Sequence, residues 1–411
     1  MLSALLSRAR TLGPGLILAA AGIGAGDVVV ASVTGITFGT TLLWAIAFTA
    51  ALKFALTEAL ARWQLATGET IVRAWVTRLP RWVAVYFAGY LLLWTFLVGA
   101  SLSSACGLAG ASLFPGLSVP VWGALHAVAA ALLVACNRYS SFQRVMKALI
   151  AVMALCVFAC AGLASPSLGE VFGGLAVPRL PAEGGGAAVL ALLGGIGGSL
   201  TVICYSYWLR AEGWNGAEKL GTVRSDVRLA YVFTGLFGVA LCIIAAGVDA
   251  GSGGGTRIAL DVAAQLEQHA GPAGRWVFLA GFWCTVFTAM LGVWQGVPHV
   301  YVDLAAAWRG ARGAAGDAAR DRTIYLAALG YLAIPPLVLL WFKQPVAVVV
   351  TFSIAGAFFM PFLAATLLYL NNRRDWLGAL ANRRRGNLAL VVCLVVFGVV
   401  CVREVAMTLG R

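Results

Sequence analysis

The chain has 411 residues, of which 61% are hydrophobic and 11% charged, and its mean hydropathy is +0.90. These values lie far outside the range of soluble globular proteins and indicate a polytopic membrane protein. A net charge of +13 would suit a nucleic-acid partner, but the Lys and Arg residues lie in short loops between apolar runs. They therefore report membrane topology, and we expect no nucleic-acid binding.

Apolar runs long enough to cross a bilayer recur along the whole sequence. They predict an all-α polytopic membrane protein with about eleven transmembrane helices, which we number as spans 1 to 11. The predicted limits are 14–36, 40–64, 82–112, 118–136, 144–164, 187–209, 228–248, 274–303, 323–342, 346–371 and 387–409. We expect residues 1–411 to form a single transmembrane domain.

Basic residues alternate between the two sides of the predicted spans. One side carries the clusters Arg8 and Arg10, Arg73 to Arg81, Arg138 to Lys147, Arg210 to Arg228, Arg309 to Arg322 and Arg373 to Arg385; the other carries Arg179, Arg257, Arg275 and Lys343. Because basic loops are cytoplasmic, we expect a cytoplasmic N-terminus, an external C-terminus and a location in the cell membrane. The lipid bilayer is the first expected partner, we expect no cleavable signal peptide, and the oligomeric state is left open.

Two outer connections and the cysteines complete this outline. Residues 165–186, with Pro166 near their start, and residues 249–275 are too short for a separate domain. The second connection begins with the glycine-rich segment 251–255 and continues as a predicted amphipathic helix from Ile258 to His269. All nine cysteines lie in apolar runs without a Cys-x-x-Cys pair, so we interpret them as small core residues rather than disulfides or zinc ligands. No cofactor is expected.

Span 1 contains the segment Gly22-Ile23-Gly24-Ala25-Gly26-Asp27. Glycine costs a helix interior about 1 kcal/mol relative to alanine, and a carboxylate at the bilayer centre costs roughly 2.5–3.5 kcal/mol. In lipid, irregular backbone is tolerated only where it is buried in protein or lines a cavity. We therefore expect a discontinuous helix beside a site, in which Asp27 binds substrate, cation or proton, or else is a structural partner of a nearby donor.

Span 6 contains a second such segment, Gly194-Gly195-Ile196-Gly197-Gly198-Ser199. Paired glycine-interrupted spans at corresponding positions of two halves are typical of a secondary transporter's binding site. They predict two five-span repeats, at about 14–164 and 187–371, with an extra span at 387–409. An odd number of spans per repeat inserts the two repeats in opposite orientations, which is the arrangement used for alternating access.

Few other ionisable residues lie within the spans. Lys53 and Glu58 on span 2 are candidates for a proton or coupling path with Asp27. Lys53 could contact Asp27 or Glu58, whereas Glu58 could instead pair with Arg62 at the interface. His126 in span 4 is interpreted as a core histidine with satisfied hydrogen bonds.

The end of span 8 and the start of span 6 supply further candidates. Pro298 predicts a kink, and His299 beside it could carry protons. The alternative is an interfacial helix end, with His299 and Asp303 beside Arg309. Polar residues also follow the span 6 break and could line a path or join neighbouring helices: Ser199, Thr201, Cys204, Tyr205, Ser206 and Tyr207.

Several motifs together resemble the Nramp (natural resistance-associated macrophage protein) family of divalent metal transporters. They are the two breaks, Phe38-Gly39-Thr40-Thr41-Leu42-Leu43-Trp44, Ala66-Thr67-Gly68 after span 2, and Val177-Pro178-Arg179-Leu180-Pro181 before span 6. The resemblance covers nearly the whole chain. It implies a LeuT-type 5+5 inverted repeat with broken spans 1 and 6, and a role in secondary transport.

The resemblance also implies positions for the family's functional residues. Aligned on Gly35 and Phe38-Gly39, the family's Asp-Pro-Gly-Asn falls on Gly24 to Asp27, so its metal-binding aspartate is replaced by Gly24. The family's other functional positions fall on Val202-Ile203-Cys204 for Met-Pro-His, on Ser353 for the span 10 glutamine, and on Ser101 and Ser104 for the acidic proton-path residues.

Only one carboxylate remains at these positions, and the family's methionine, whose soft thioether favours transition metals, is replaced by Val202. We therefore expect a hard cation such as Mg²⁺ rather than Mn²⁺ or Fe²⁺. Asp27 is the candidate metal ligand. The expected substrate-binding residues are Gly24, Asp27, Gly197, Ser199, Thr201, Val202 and Ser353, and the expected proton or coupling path is Asp27, Lys53, Glu58 and His299.

Other functions stay open at this point. The same scaffold suits a small organic solute in a glycine-lined cavity. Gly24-Ala25-Gly26-Asp27 also matches the Gly-x-Gly-Asp of intramembrane aspartyl proteases, which need a second aspartate; Asp303 is the candidate, but no Pro-Ala-Leu motif is present. A channel is disfavoured because no filter sequence occurs, and a non-transporting sensor is left open. We expect a transporter and no enzyme.

Overall fold

The computed structural model describes residues 13–136, 139–164, 167–248, 258–310, 318–342 and 345–409. Its α-helices are α1 Pro14–Gly22, α2 Ala25–Phe38, α3 Leu43–Thr67, α4 Ile71–Thr77, α5 Arg81–Leu113, α6 Val119–Cys136, α7 Tyr139–Leu163, α8 Leu168–Ala176, α9 Gly185–Gly195, α10 Thr201–Ala211, α11 Leu220–Ala246, α12 Ile258–Trp308, α13 Ala318–Ala333, α14 Pro345–Asn371, α15 Arg374–Leu377 and α16 Arg384–Leu409. Short 3₁₀ helices cover Ala217–Lys219, Pro335–Phe342 and Gly378–Leu380. The described elements are all helical, as predicted.

The described helices account for all eleven predicted spans. Nine of them are long and apolar enough to cross a membrane, and α1 with α2, bent by 58° at their break, forms a tenth span. Predicted span 6 corresponds to the short helices α9 and α10. The two spans predicted to be discontinuous are therefore the two that are divided into half-helices.

Several predicted helix limits are wrong by a few residues. α7 begins at Tyr139 and α11 at Leu220, earlier than the predicted 144 and 228, because these helices continue past the apolar run into polar residues. Predicted span 9 ends as the 3₁₀ helix Pro335–Phe342, since two consecutive prolines remove the N–H groups that an α-helix needs.

α12 combines two predicted elements. The amphipathic helix that begins at Ile258 runs into span 8, and the residue with non-helical backbone is Gly271, at φ +68°. The backbone stays helical through Pro298, so the proline breaks the helix less than the sequence suggested.

The core is formed largely by α2 packed against α11 and by α12 packed against α5 and α7. Seven of the nine cysteines are buried in it, but Cys136 is exposed at the end of α6 and Cys156 is half-buried. The interpretation of every cysteine as a core residue is wrong for Cys136, because a helix end in a bundle has one open face. The predictions for Arg8, Arg10, Arg138, Pro166, Gly251 to Gly255, Arg257, Arg312 and Lys343 lie outside the described residues.

Candidate functional site

The two broken spans interrupt their helices at equivalent residues. α1 ends at Gly22 and α9 at Gly195. The residue that follows each helix is an isoleucine with an extended backbone, Ile23 with φ/ψ of −83°/98° and Ile196 with −75°/128°. Both side chains are fully buried. The two interruptions therefore occupy corresponding positions in the sequence halves, as the glycine pattern predicted.

The two breaks are in backbone contact. A Cβ atom added to Gly22 would lie 3.2 Å from the carbonyl carbon of Gly197, so only glycine permits this approach without a shift. Gly197 and Gly198 have φ of +76° and +73°, the left-handed region that side chains disfavour. The glycines of the two segments thus allow the half-helices to meet in the protein interior.

Asp27 joins the two breaks through its carboxylate. One oxygen, Oδ2, accepts a hydrogen bond from the backbone N–H of Gly24 at 2.9 Å, and Oδ1 accepts from the N–H of Gly197 at 2.7 Å. The first of these bonds caps the N-terminus of α2, where a negative charge is favourable. The side chain is 2% exposed, so it lies where an uncompensated charge would be costly.

Lys53 of α3 approaches the span 6 break from the other side. Its ammonium donates to the carbonyl oxygens of Ile196 and Gly198, and the residue is fully buried. The peptide between Ile196 and Gly197 thus accepts from Lys53 and donates to Asp27. A direct contact with Asp27, one of the two considered for Lys53, is not formed: the two side chains make no ion pair and are linked through this peptide.

A small cavity lies between the breaks and α5, α12 and α14. Its volume is about 30 Å³, which is room for a bare ion or one or two waters. The predicted residues Gly24, Asp27, Ser199, Thr201 and Ser353 all line it.

The hydroxyls of the cavity differ in their hydrogen bonds. Ser199 Oγ accepts from the indole N–H of Trp94 at 2.9 Å, and Ser353 Oγ donates to the Val349 carbonyl oxygen at 2.9 Å. Thr201 Oγ1 is buried and has no partner among the described residues. A threonine hydroxyl without a protein partner, facing a cavity, is available to a ligand.

The site offers a metal ion oxygen ligands, of which one is a carboxylate, that of Asp27. Within the described ranges, no group of three His, Cys, Asp or Glu side chains is placed to hold a metal. Val202, predicted as a site residue, is buried in α10 and does not line the cavity. Cys204 is also buried and does not line it. A cation in this cavity would therefore be bound by Asp27, hydroxyls and backbone carbonyls.

The other predicted coupling residues lie elsewhere. Glu58 forms ion pairs with Arg62 at 3.2 Å and Arg224 at 2.8 Å, so the alternative in which it pairs with Arg62 is confirmed and the one in which it contacts Lys53 is wrong. His299 lies between the rings of Tyr207 and Tyr325, with centroid distances of 5.7 and 4.9 Å. Neither Glu58 nor His299 lines the cavity of Asp27.

A second cavity of about 900 Å³ lies near His299 and shares no lining residue with the first. Asp303 lines it and accepts hydrogen bonds from Thr70 and Tyr207. Arg309, expected beside Asp303, pairs instead with Asp321 at 2.8 Å.

His126, predicted to be a core histidine, has both ring nitrogens hydrogen-bonded, one to the Trp122 carbonyl and the other to the Trp283 indole N–H.

Sequence reasoning missed Asp226, because span 7 was predicted to start at residue 228. Asp226 is 7% exposed in α11, and its Oδ2 accepts from the backbone N–H of Gly15 at 2.6 Å and from the Tyr205 hydroxyl at 2.8 Å. It thereby ties the first turn of α1 to α10. An acidic residue shortly before an apolar run was the available signal.

Replacing Asp226 by alanine is expected to release the start of α1. Gly15 N–H and the Tyr205 hydroxyl would lose their acceptor, at a cost of about 1–3 kcal/mol for such unsatisfied groups. We expect amide hydrogen exchange of residues 14–22 to become about tenfold faster, measured by mass spectrometry. Tyr205→Phe, which removes one of the two bonds, is the control with a smaller effect; unchanged exchange in Asp226→Ala would contradict the role.

Comparison with known proteins agrees with this geometry. Over residues 15–407 the chain matches the family described as natural resistance-associated macrophage protein-like. A mutant of the Eremococcus coleocola manganese transporter is similar in structure, with a TM-score of 0.79 and 14% identity over 96% of this chain and 85% of that chain. The same transporter in complex with an aromatic bis-isothiourea substituted compound gives 0.73 and 16% identity, over 98% and 88%.

A transporter of another family also has a similar fold. Mhp1, a nucleobase-cation-symport-1 family transporter in a closed conformation with bromovinylhydantoin bound, gives a TM-score of 0.58 and 14% identity, over 97% of this chain and 93% of that chain. No curated protein sequence matches the chain.

The fold and the site together define a membrane transporter of the LeuT type, with two broken helices that meet around a buried carboxylate. The family match extends over nearly the whole chain. The protein belongs to the Nramp family, whose fold is that of a divalent metal transporter.

Proposed function

We propose that the protein is a secondary transporter that moves a hard divalent cation such as Mg²⁺ by alternating access. The observation that carries this proposal is the position of Asp27. Its carboxylate joins the two helix breaks and lines a cavity that also contains the hydroxyls of Ser199, Thr201 and Ser353. Hard cations are bound by oxygen ligands of this kind.

The donor set argues against a soft transition metal. Imidazole, thiolate and thioether ligands favour the softer transition metals, whereas carboxylate, carbonyl and water ligands suit Mg²⁺, Ca²⁺ and Mn²⁺. The described cavity lining contains no His, Cys or Met side chain. Mg²⁺ keeps several waters when bound, so a cavity of about 30 Å³ must widen before the ion enters or leaves. That widening corresponds to the open states of the transport cycle.

Lys53 supplies a mechanism for coupling. Its ammonium binds the carbonyls of Ile196 and Gly198. Gly198 lines the cavity, so an incoming cation would compete with Lys53 for its carbonyl. A divalent cation and the protonated lysine repel each other, so cation binding favours release of the lysine proton. We propose Asp27 and Lys53 as the coupling groups and leave Glu58 and His299, which lie away from the cavity, outside the path.

The alternative substrate is a small organic solute. The Mhp1 structure with bromovinylhydantoin bound supports it through the shared fold alone, and a cavity of about 30 Å³ is too small for such a molecule in this conformation. The protease alternative requires two aspartates that share a proton. Asp27 and Asp303 line different cavities, so that geometry is absent from the described residues.

The proposal is tested by ion uptake into proteoliposomes containing the full chain. With Mg²⁺, Mn²⁺ or no divalent ion outside, and with or without a pH gradient, we expect Mg²⁺ uptake above that of empty liposomes and little Mn²⁺ uptake. Uptake of Mn²⁺ in preference to Mg²⁺ would overturn the ion assignment. No uptake of either ion under proton, sodium and voltage gradients would overturn cation transport and favour the organic solute.

A further inference from the structure

A cleft of about 990 Å³ opens where α3, α11 and the start of α16 meet. We call it the arginine cleft. Six arginines line it, together with one acidic side chain, that of Glu58: they are Arg62, Arg224, Arg228, Arg383, Arg384 and Arg385. The cleft thus gathers positive charge from three parts of the sequence that are far apart along the chain.

Glu58 neutralises only part of this charge. It forms ion pairs with Arg62 and Arg224, at 3.2 and 2.8 Å. Arg62 is 6% exposed, and its Nε has no hydrogen-bond partner among the described residues. Arg383 to Arg385 are exposed and form no ion pair within the described ranges. Arginine presents a planar fork of donors that fits phosphate, so the cleft suits a phosphate-bearing ligand.

An apolar groove continues from the arginine cleft. The groove has a volume of about 420 Å³, lies between α3 and α11, and shares Phe54 and Arg228 with the cleft. It runs along α11 as far as Val239. At about 1.5 Å per residue, the rise from Arg228 to Val239 is about 17 Å, close to half the roughly 30 Å hydrocarbon thickness of a bilayer.

We propose that the arginine cleft binds the phosphate headgroup of an anionic phospholipid, with an acyl chain in the groove between α3 and α11. A soluble phosphate would use the arginines but would leave the apolar groove empty. Basic pockets between membrane helices bind anionic lipid headgroups in this way. The bound lipid connects α16, which lies outside the two repeats, to α3 and α11.

The test uses the full-length protein in a neutral detergent and measures its thermal stability while lipid is added. The probes are phosphatidylglycerol, phosphatidylcholine with the same acyl chains, and inorganic phosphate. We expect phosphatidylglycerol to raise the Tm saturably and the other two probes to have little effect. An equal rise with phosphatidylcholine would overturn the headgroup assignment, and an equal rise with phosphate would assign the cleft to a soluble anion instead.

A charge variant separates the cleft from general surface attraction. The triple variant Arg383→Ala, Arg384→Ala, Arg385→Ala changes exposed side chains and should fold normally. We expect it to bind phosphatidylglycerol about a hundredfold more weakly, about fivefold for each arginine near a headgroup. The matched control, Arg81→Ala, Arg144→Ala, Arg374→Ala, removes the same charge from exposed positions elsewhere. Equal weakening in both variants would overturn the site.

A second variant tests the groove. Ala51 is exposed and lines the groove, so Ala51→Phe would fill it from the membrane side. We expect this variant to lose most of the stabilisation by phosphatidylglycerol, whereas Ala129→Phe, at an exposed position on α6, should keep it. Full stabilisation of Ala51→Phe would overturn the placement of the acyl chain.

Discussion

Replacement of Asp27 by asparagine is expected to abolish divalent-cation binding and transport. The amide oxygen can accept from only one of the two N–H groups that the carboxylate now satisfies, and the amide nitrogen would face the other donor. The buried Lys53 would also lose its compensating charge. A buried N–H left without an acceptor costs about 1–3 kcal/mol, so we expect a lower Tm as well.

The measurement is isothermal titration calorimetry of Mg²⁺ and Mn²⁺ with the purified protein, beside the uptake assay. Asp375→Asn is the control, because Asp375 is exposed and lies outside the site. Asp27→Asn should show no binding heat above that of buffer, while the control should equal the parent protein. Cation binding that survives in a folded Asp27→Asn protein would place the cation site elsewhere.

Replacement of Lys53 by methionine is expected to strengthen divalent-cation binding. Methionine is similar in length but carries no charge, so the carbonyl of Gly198, which lines the cavity, would become free to bind the ion. At an effective dielectric constant of about 20, a nearby unit charge repels a divalent ion by several kcal/mol. We therefore expect affinity to rise at least roughly tenfold, with reduced dependence of transport on a pH gradient.

Stability should change in the opposite direction. Without bound ion, Lys53→Met leaves Asp27 buried without its opposite charge, and the Tm should fall; saturating Mg²⁺ should restore much of it. Lys219→Met removes an exposed lysine and is the control. Unchanged affinity in Lys53→Met would mean that the lysine and the ion do not compete for the span 6 carbonyls.

The sequence was sufficient to predict the fold and the location of the breaks. Glycine and a carboxylate are each costly in a membrane helix, so their combination in span 1 predicted a broken helix beside a buried site. The repeat of the glycine pattern in span 6 then predicted the equivalence of Ile23 and Ile196, which is confirmed by their shared backbone conformation. Limits of helices were less predictable, because α7 and α11 extend beyond their apolar runs.

Side-chain partners were the part that the sequence left undetermined. Lys53 binds a segment 143 residues away, and this contact depends on how α3 packs against the second repeat. Glu58 was a candidate coupling residue because of its chemistry, but Arg224 from α11 pairs with it. Local spacing on one helix carries no information about a partner that another helix supplies.

The peptide link between Asp27 and Lys53 also bears on the electrical behaviour of the protein. In the proposed cycle the carboxylate of Asp27 and the ammonium of Lys53 cancel in the empty site, so this site can change its access from one side to the other without carrying net charge through the membrane field. A site that has gained a divalent ion and lost one proton does carry charge, and the membrane potential contributes about 2.3 kcal/mol per charge per 100 mV to its movement. Voltage should therefore act on the loaded half of the cycle and leave the return step unaffected.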